Sequence, residues 1–382
     1  MFQPPDLSRR HLLAMAGGAC LLPLAACTAG KVAPDPAGAP DVLPDASLEA
    51  RLAAVLEAVP VEEVPGILLM VDRPDGRISL TRGYEDRETR APIRMESVMR
   101  AGSICKTYMA ALTVKMAGAG QIDLEAPLSL YVDPAVMAQL PEGLDPTIRQ
   151  LLNHTSGVPD YYSERFYEED WDISQRLTPA LVLHAIRGLP ATQVPGTVYD
   201  YSNTNYHLVA LVLEAVSGKS VASLLQAELI GPLGLQHTYY DAVFPPGDTI
   251  HGYGSPFDPW ADMFESRENT GPDGGMMMRP SDLVIWLRAL LAPGGRFEDI
   301  GRVMAADPVL ERKRREHGLG LDIMTSRDGT EVLGHTGGVD GYFTAGFYVP
   351  VRDSVLVLYM NRSDEEIFGP LFGQCLREVV AG

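Results

Sequence analysis

Strand-forming runs cluster at the two ends of this chain and give way to helical patterning in the middle, which restricts its fold more than any other feature. Gly66-Ile67-Leu68-Leu69-Met70-Val71-Asp72 and Arg77-Ile78-Ser79-Leu80-Thr81 read as a hairpin around Pro74-Asp75-Gly76. Near the C-terminus, residues 342–349 and 354–360 read as a second pair joined by a turn from Pro350 to Asp353. Each pair has an amphipathic helix beside it. Ser47 is placed to cap a helix whose Leu48, Leu52, Val55, Leu56 and Val59 share one face. Ile367, Phe368, Leu371, Phe372, Cys375, Leu376 and Val379 mark the other, with Pro370 expected to bend or delay it. Between them, residues 104–118, 148–152, 208–216 and 281–291 carry helical patterns, and no internal repeat is present. The expected fold is α/β of the α+β type. One antiparallel sheet is built from both chain ends (about 47–104 and 301–382) and flanked by the terminal helices, and a mostly helical lobe fills about 105–300.

Three short motifs follow one another along this frame. Ser103 and Lys106 are three residues apart, so on a helix they share one face, with Cβ atoms about 5–6 Å apart. A serine hydroxyl is a poor nucleophile until a neighbouring base takes its proton. Gly102-Ser103 falls at a helix start, where backbone N–H groups favour developing negative charge. Burial against the apolar helix would push Lys106 below its reference pKa of about 10.4 and make it a usable base. Tyr201-Ser202-Asn203 lies in a loop just before a helix, where a tyrosine beside an ammonium can relay protons and Asn203 can bond both lysine and a substrate amide. His335-Thr336-Gly337-Gly338 leads into a strand, and a glycine-rich strand edge lets substrate backbone approach while supplying one oxyanion N–H, the other coming from Ser103. A second His-Thr pair, His154-Thr155-Ser156-Gly157, reads as a structural turn. Met276-Met277-Met278 reads as core in preference to cleft lining.

With these motifs in order, the chain resembles the penicillin-recognising serine hydrolases: secreted DD-carboxypeptidases, class C β-lactamases and related esterases. Supporting stretches are Leu151-Leu152-Asn153-His154-Thr155-Ser156-Gly157 and Gly318-Leu319-Gly320-Leu321, and the similarity covers roughly residues 47–380. The resemblance implies a β-lactamase/transpeptidase-like fold, with Ser103, Lys106 and Tyr201 catalytic and with Asn203, His335, Thr336, Gly337 and Gly338 binding substrate. It implies acyl-enzyme hydrolysis of D-alanyl peptides, β-lactams or small esters, DD-carboxypeptidase-like, with β-lactamase or carboxylesterase action as the alternative. A non-catalytic cell-wall-binding lipoprotein is a weaker alternative, since it need not retain Ser103, Lys106 and Tyr201 together. Two departures stand out: Cys105 replaces a small hydroxyl residue, and Gly338 stands where carboxypeptidases carry a hydroxyl that helps hold a substrate carboxylate. Histidine at 335, with an ordinary pKa near 6.5, is expected to change charge in the working range and help hold a carboxylate, with Arg327 as the basic neighbour. A class A mechanism would find its Glu-x-x-x-Asn spacing in Glu265-Ser266-Arg267-Glu268-Asn269, but the tyrosine at 201 speaks against it.

The N-terminus suggests a compartment. Ser8-Arg9-Arg10-His11-Leu12-Leu13 resembles a twin-arginine export signal, and the apolar stretch after it is too short and too broken by Gly17, Gly18 and Pro23 to span a membrane. Leu24-Ala25-Ala26-Cys27 resembles a lipobox, so residues 1–26 are expected to be cleaved and Cys27 lipidated. Residues 27–46 then form a disordered tether, and residues 47–382 the hydrolase, exported to the periplasmic side of a bacterial membrane and held there by lipid alone. A net charge of −19 argues against nucleic acid and against docking on anionic lipid. The expected partner is a small-molecule or peptidoglycan-peptide substrate, and the expected state a monomer. With Cys20 and Cys27 in the signal, only Cys105 and Cys375 remain, which excludes a disulfide framework. No His/Cys/Asp cluster shows metal spacing and no phosphate loop appears, so no metal and no cofactor is expected.

Overall fold

The computed structural model describes residues 47–163, 165–166, 176–241, 247, 249–266 and 271–382. The export signal, Cys27, the tether and Asn269 lie outside the described residues. Along the chain the strands are β1 (Gly66–Arg73), β2 (Gly76–Gly83), β3 (Met99–Arg100), β4 (Thr238–Tyr240), β5 (Met276–Met278), β6 (Val309–Arg312), β7 (Arg315–His317), β8 (Asp322–Thr325), β9 (Glu331–Val339), β10 (Tyr342–Val349) and β11 (Ser354–Met360). Eight of them form one antiparallel sheet in the order β2-β1-β11-β10-β9-β8-β7-β6. The first hairpin therefore joins the last strand, with Ile67 opposite Met360 and Val71 opposite Leu356. Both chain ends build the sheet, as the terminal patterns predict.

Period-two alternation explains how the sheet organises two cores. Ile67, Leu69 and Val71 of β1, with Leu356, Leu358 and Met360 of β11, face the first helix (Leu48–Glu57) and the last (Glu365–Ala381). Leu68, Met70, Val355, Val357 and Tyr359 face the helical segment on the other side. Every residue of β11 is buried, so its unbroken apolar run reflects a central strand covered on both faces. Ser47 caps the first helix by accepting from the Ala50 amide at 3.2 Å. Pro370 neither delays nor stops the last helix, which begins five residues earlier behind an Asp364 cap. Pro370 gives up a single helical hydrogen bond, and Phe368, Leu371 and Phe372 still pack against the sheet.

The helix Cys105–Gly118 runs through the interior, with Lys106 and Thr107 fully buried. Tyr108 stacks on Trp286 at 3.9 Å, and the Trp286 indole N–H donates to Thr107 Oγ1 at 2.9 Å, which fixes the helix against Pro280–Leu291. Met276–Met278 is a strand of a second, three-stranded sheet ordered β3-β5-β4, and all three methionines are core. That small sheet holds Arg100, three residues before Ser103, in register with Met277. Cys105 and Cys375 are both buried and unbonded to each other.

Candidate active site

Ser103 sits in a single 3-10 turn, Gly102–Ile104, that runs directly into the buried helix. This turn occupies the space beside β9 that β8 leaves open, because β8 stops pairing at Gly334 while β9 continues to Val339. The approach is close enough to exclude side chains. A Cβ on Gly337 would lie 2.0 Å from the Ala101 carbonyl oxygen and 3.1 Å from the Ser103 amide nitrogen. Gly102 has φ +52°, and a Cβ there would lie 3.0 Å from the Gly338 amide nitrogen. Glycine on both sides is what lets the amides of the serine turn and of the strand share one small space.

Around Ser103 the polar atoms are fully engaged. Lys106 Nζ lies 3.0 Å from Ser103 Oγ, 2.8 Å from Asn203 Oδ1 and 2.7 Å from the Asp273 carbonyl oxygen. The Tyr201 hydroxyl donates to Ser103 Oγ at 2.9 Å. The nucleophile candidate thus has a base candidate on one side and a phenol on the other, as the sequence motifs predict. Lys106 Nζ also lies 5.1 Å from the Tyr201 ring centre and 5.4 Å from that of Tyr206.

Asn203 occupies the N-cap position of the helix Thr204–Ser217 yet makes no capping hydrogen bond with its side chain. Its Oδ1 accepts from Lys106 and its Nδ2 donates to Asp160 Oδ2 at 3.0 Å. A local helix-capping preference has given way to the site. Asp160 also accepts from the Asn203 amide at 3.1 Å, and burial pushes its carboxyl up to about 7 despite these donors. Asp273 goes the other way. Burial raises its pKa, but His207 at 2.9 Å, Lys106 and the Tyr161 hydroxyl at 2.9 Å bring it down to about 2. Its side chain is thereby clamped, which keeps its carbonyl oxygen on Lys106. The Cys105 thiol donates to the Pro272 carbonyl at 3.3 Å and so tethers the same loop, the work a hydroxyl at that position would do. Burial raises the thiol pKa far above its ordinary value, so Cys105 is a structural thiol and not a second nucleophile.

His154, expected as part of a turn, supports the site from beneath. It has φ +59°, its ring stacks on Tyr201 at 4.2 Å, and its Nδ1 accepts from the Ser202 amide at 3.1 Å. Asp160, Asp273, His207 and Tyr161 were invisible to motif reading. The glycine-rich run Gly271-Pro272-Asp273-Gly274-Gly275 is the one local signal that marks a loop of special geometry there.

The third motif departs from expectation. His335 faces the helical side of the sheet beside His317, with ring centres 5.7 Å apart, and is buried at 2% exposure. Burial lowers its pKa to about 4 even though Asp322 pulls the other way, so the ring is neutral in the working range and does not change charge there. Its Nδ1 is hydrogen-bonded to the Thr336 carbonyl oxygen. The Thr336 side chain lies on the opposite face of β9 from His335. Gly338 is exposed, and a Cβ there would lie 2.6 Å from Cε1 of Phe343, so a carboxylate-binding hydroxyl at this position is sterically opposed. Arg327, expected as the nearby cation, is exposed in the turn between β8 and β9, at the opposite end of β9 from Gly337. The fold therefore unites Ser103, Lys106, Tyr201 and Asn203 with the Gly337-Gly338 backbone. Among the described residues, His335 and Arg327 do not supply the charged carboxylate anchor expected of them.

The family model described as Beta-lactamase matches residues 52–370. The chain is 25% identical over 364 residues to an unguisins hydrolase of Aspergillus violaceofuscus, which covers 84% of this chain and 62% of that protein. It is 24% identical over 292 residues to a D-aminopeptidase of Brucella anthropi, covering 73% of this chain and 52% of the relative. The chain thus spans about half to three-fifths of the length of these two relatives. Among solved structures, a D-stereospecific amidohydrolase from a Streptomyces species superposes with a TM-score of 0.70 and 26% identity, over 85% of this chain and 96% of that one. Matched over most of its length by the family model, and carrying the serine-lysine-tyrosine arrangement in a sheet-and-helix fold, the chain belongs to the beta-lactamase family of serine hydrolases.

Proposed function

We propose that this serine hydrolase works through an acyl-enzyme on Ser103 and prefers esters and amides that lack a free carboxylate. The observation that carries the mechanism is the pair of hydrogen bonds on Ser103 Oγ, from Lys106 Nζ and from the Tyr201 hydroxyl. In acylation Ser103 Oγ bonds to the substrate carbonyl carbon, and its proton passes to the Lys106–Tyr201 pair. The carbonyl oxygen becomes an oxyanion facing the Ser103 amide and the β9 backbone. The carbon–nitrogen or carbon–oxygen bond then breaks, and the leaving group takes the proton back from the pair. Water repeats the sequence and frees the acid. Asn203, braced by Asp160, holds Lys106 on Ser103 throughout.

The substrate preference rests on the residues expected to hold a carboxylate: His335 is buried and neutral, residue 338 is glycine, and Arg327 is distant. His335 carries no charge for a terminal carboxylate, and the Arg327 charge lies at the far end of β9. D-amino-acid substrates are favoured by the relatives whose names record D-specificity. The test is labelling with a fluorescent penicillin or a fluorophosphonate, with intact mass to locate the adduct. The wild type takes one label on Ser103 and Ser103→Ala takes none. Equal labelling of both refutes the assignment. Ester turnover is expected at least as fast as cleavage of a D-alanyl-D-alanine peptide, and efficient carboxypeptidase action with negligible esterase action refutes the preference.

We further propose that Cys27 carries the lipid anchor, on the strength of the Leu24-Ala25-Ala26-Cys27 motif. Full-length protein should fractionate with membranes and Cys27→Ser should not. Identical fractionation argues for a free exported enzyme.

A further inference from the structure

A second cluster of chemistry lies behind the third motif, formed by side chains that take no part in the proton transfers at Ser103. β7 ends at His317 and β8 begins at Asp322, joined by a turn in which the Gly318 amide donates to the Leu321 carbonyl at 2.8 Å and Gly320 takes φ +61°. The antiparallel register sets His317 opposite Asp322, and Asp322 opposite Gly334 on β9, next to His335. Three adjacent strands therefore converge two imidazoles and a carboxylate. One ligand atom from each lies within 4.8 Å of the others, and the residues are 0%, 1% and 2% exposed for His317, Asp322 and His335.

The hydrogen bonds decide which atoms are left to bind something. His317 Nδ1 sits 3.1 Å from Asp322 Oδ1, and His335 Nδ1 is bonded to the Thr336 carbonyl. The His335 Nδ1 is the donor in its bond, so its Nε2 carries a lone pair, and the Nε2 atoms of His317 and His335 are both buried with no partner among the described residues. Arg315 Nη2 holds the other Asp322 oxygen at 2.8 Å, and although burial raises the carboxyl pKa, the Arg315 charge keeps it far down and the group ionised. The orphaned His335 Nε2, beside the Asp322 carboxylate, is a buried acceptor in need of a donor or a cation. The bond from His335 Nδ1 to the Thr336 carbonyl is the kind of outer hydrogen bond that orients metal-bound histidines in general.

We propose that His317, Asp322 and His335 form a binding site for one divalent transition-metal ion of the zinc type, held by His317 Nδ1, whose proton moves to its Nε2 on binding, by His335 Nε2 and by Asp322 Oδ1. Two neutral imidazoles and a carboxylate form an N2O donor set suited to such an ion, with a fourth position left open. Ligands on one tetrahedral zinc ion sit about 3.3 Å apart, close to the 3.1 Å between His317 Nδ1 and Asp322 Oδ1, so rotation of the His335 ring closes the remaining spacing. Because His335 belongs to the β9 wall, metal occupancy and substrate binding are coupled, and the coupling is reciprocal.

The test needs no turnover and so stands apart from the proposed hydrolytic role. Metal-stripped protein is titrated with Co2+ and followed by visible absorption, then competed with Zn2+. One equivalent is expected to bind with the strong absorption of a low-coordinate site, and Zn2+ should displace it. His317→Ala should weaken binding by more than about 100-fold, beyond the cost of losing an outer-shell partner. His251→Ala, which removes the exposed His251–Asp262 pair, should leave it unchanged. Wild-type protein also gives a reading that no folding defect can blur: ring-nitrogen NMR on adding Zn2+ should move the ring-nitrogen signals of His317 and His335 and leave those of His237 in place. Absence of saturable one-equivalent binding, unchanged binding in His317→Ala, loss of binding in His251→Ala, or unmoved His317 and His335 signals would each overturn the proposal.

Discussion

The two walls that meet at Ser103 are built in opposite ways. On the helical side, Lys106, Tyr201, Asn203, Asp160 and Asp273 form a chain of hydrogen bonds in which each group is held by another. On the strand side, β9 contributes bare backbone at Gly337 and Gly338 and a neutral, half-satisfied imidazole at His335. The first wall fixes a proton-transfer geometry, which must be accurate to a fraction of an ångström whatever the substrate. The second wall only has to let a substrate backbone lie down, and it leaves the choice of substrate loosely specified. Over-determination on one side and openness on the other suit an enzyme committed in chemistry and permissive in substrate.

Removing the centre of the first wall should have the largest effect. Lys106→Ala is expected to lower acylation by about 10³-fold or more, since members of a catalytic unit fail together. Burst kinetics with a chromogenic ester measure it directly, and a loss under tenfold would mean that the wall is redundant. Gly337→Ala attacks the junction between the walls. Its methyl group would meet the Ala101 carbonyl oxygen at 2.0 Å, a backbone atom that cannot swing aside. Losing one oxyanion donor costs about 10²–10³-fold in kcat, and a similar loss is expected as β9 is pushed off the serine turn. A variant with full kcat would show that the strand amide is not used.

Asp160 tests the first wall by pH. Its carboxyl is pushed up to about 7 by burial, while the unfolded chain titrates near 3.9. Between about 4 and about 7 the folded protein holds a proton that the unfolded chain releases, so this group's contribution to stability falls as pH rises through that window. The slope is at most about 1.4 kcal/mol per pH unit, trimmed because the side chain is partly open to water. Activity should run the other way, since ionised Asp160 accepts best from Asn203 and so positions Lys106 best. In Asp160→Asn, urea titrations should be flatter across this window and the limb of the kcat/KM profile near pH 7 should disappear. A profile unchanged from wild type would remove Asp160 from the network.

His335→Lys addresses the second wall. It installs the cation that β9 lacks, so KM for a peptide ending in a carboxylate should fall by about fivefold or more, the value of about 1 kcal/mol for a partly screened charge pair. KM for a neutral ester should hardly move. Equal shifts for both substrates would mean that the wall does not read charge.

The contrast between the walls also explains how much could be read in advance. The terminal hairpins and helices were legible because a sheet strand and a capped helix announce themselves in short periodic runs, as residues 66–72 and 354–360 do. Ser103, Lys106, Tyr201 and Asn203 were legible because their spacing is fixed by one helix start and one loop. Asp160 and Asp273 were not, since each is a lone carboxylate in a loop whose partners lie more than 40 residues away. His317 and Asp322 are only five residues apart, yet nothing in that spacing reveals that β9 will bring His335 to them. The charge on His335 was misjudged for a related reason: its neutrality comes from burial, and burial is a property of the folded sheet. Pro370 shows the limit of local rules, since packing of Phe368, Leu371 and Phe372 outweighs one lost hydrogen bond.

The smallest effect on turnover is expected at Gly338, where it separates a missing hydroxyl from a blocked one. Serine at this position would offer the hydroxyl that the resemblance to carboxypeptidases leads one to expect, but its Cβ would lie 2.6 Å from Phe343 Cε1. Phe343 is not free to leave, because its ring stacks on Phe368 at 5.0 Å in the core between sheet and last helix. Gly338→Ser alone should therefore cost about 1–3 kcal/mol of stability by overpacking and bring little gain in carboxylate binding. Shortening the obstacle by Phe343→Leu should relieve the clash, so the double variant should be more stable than the sum of the two single changes, a coupling of about 0.5 kcal/mol or more. In that background the hydroxyl can settle, and KM for a carboxylate-ended peptide should drop about two- to fivefold, one neutral hydrogen bond's worth of affinity. Additive stabilities would show that Phe343 does not guard the position. A gain in carboxylate affinity from Gly338→Ser alone would show that the second wall is open because a hydroxyl is lacking, with Phe343 playing no part.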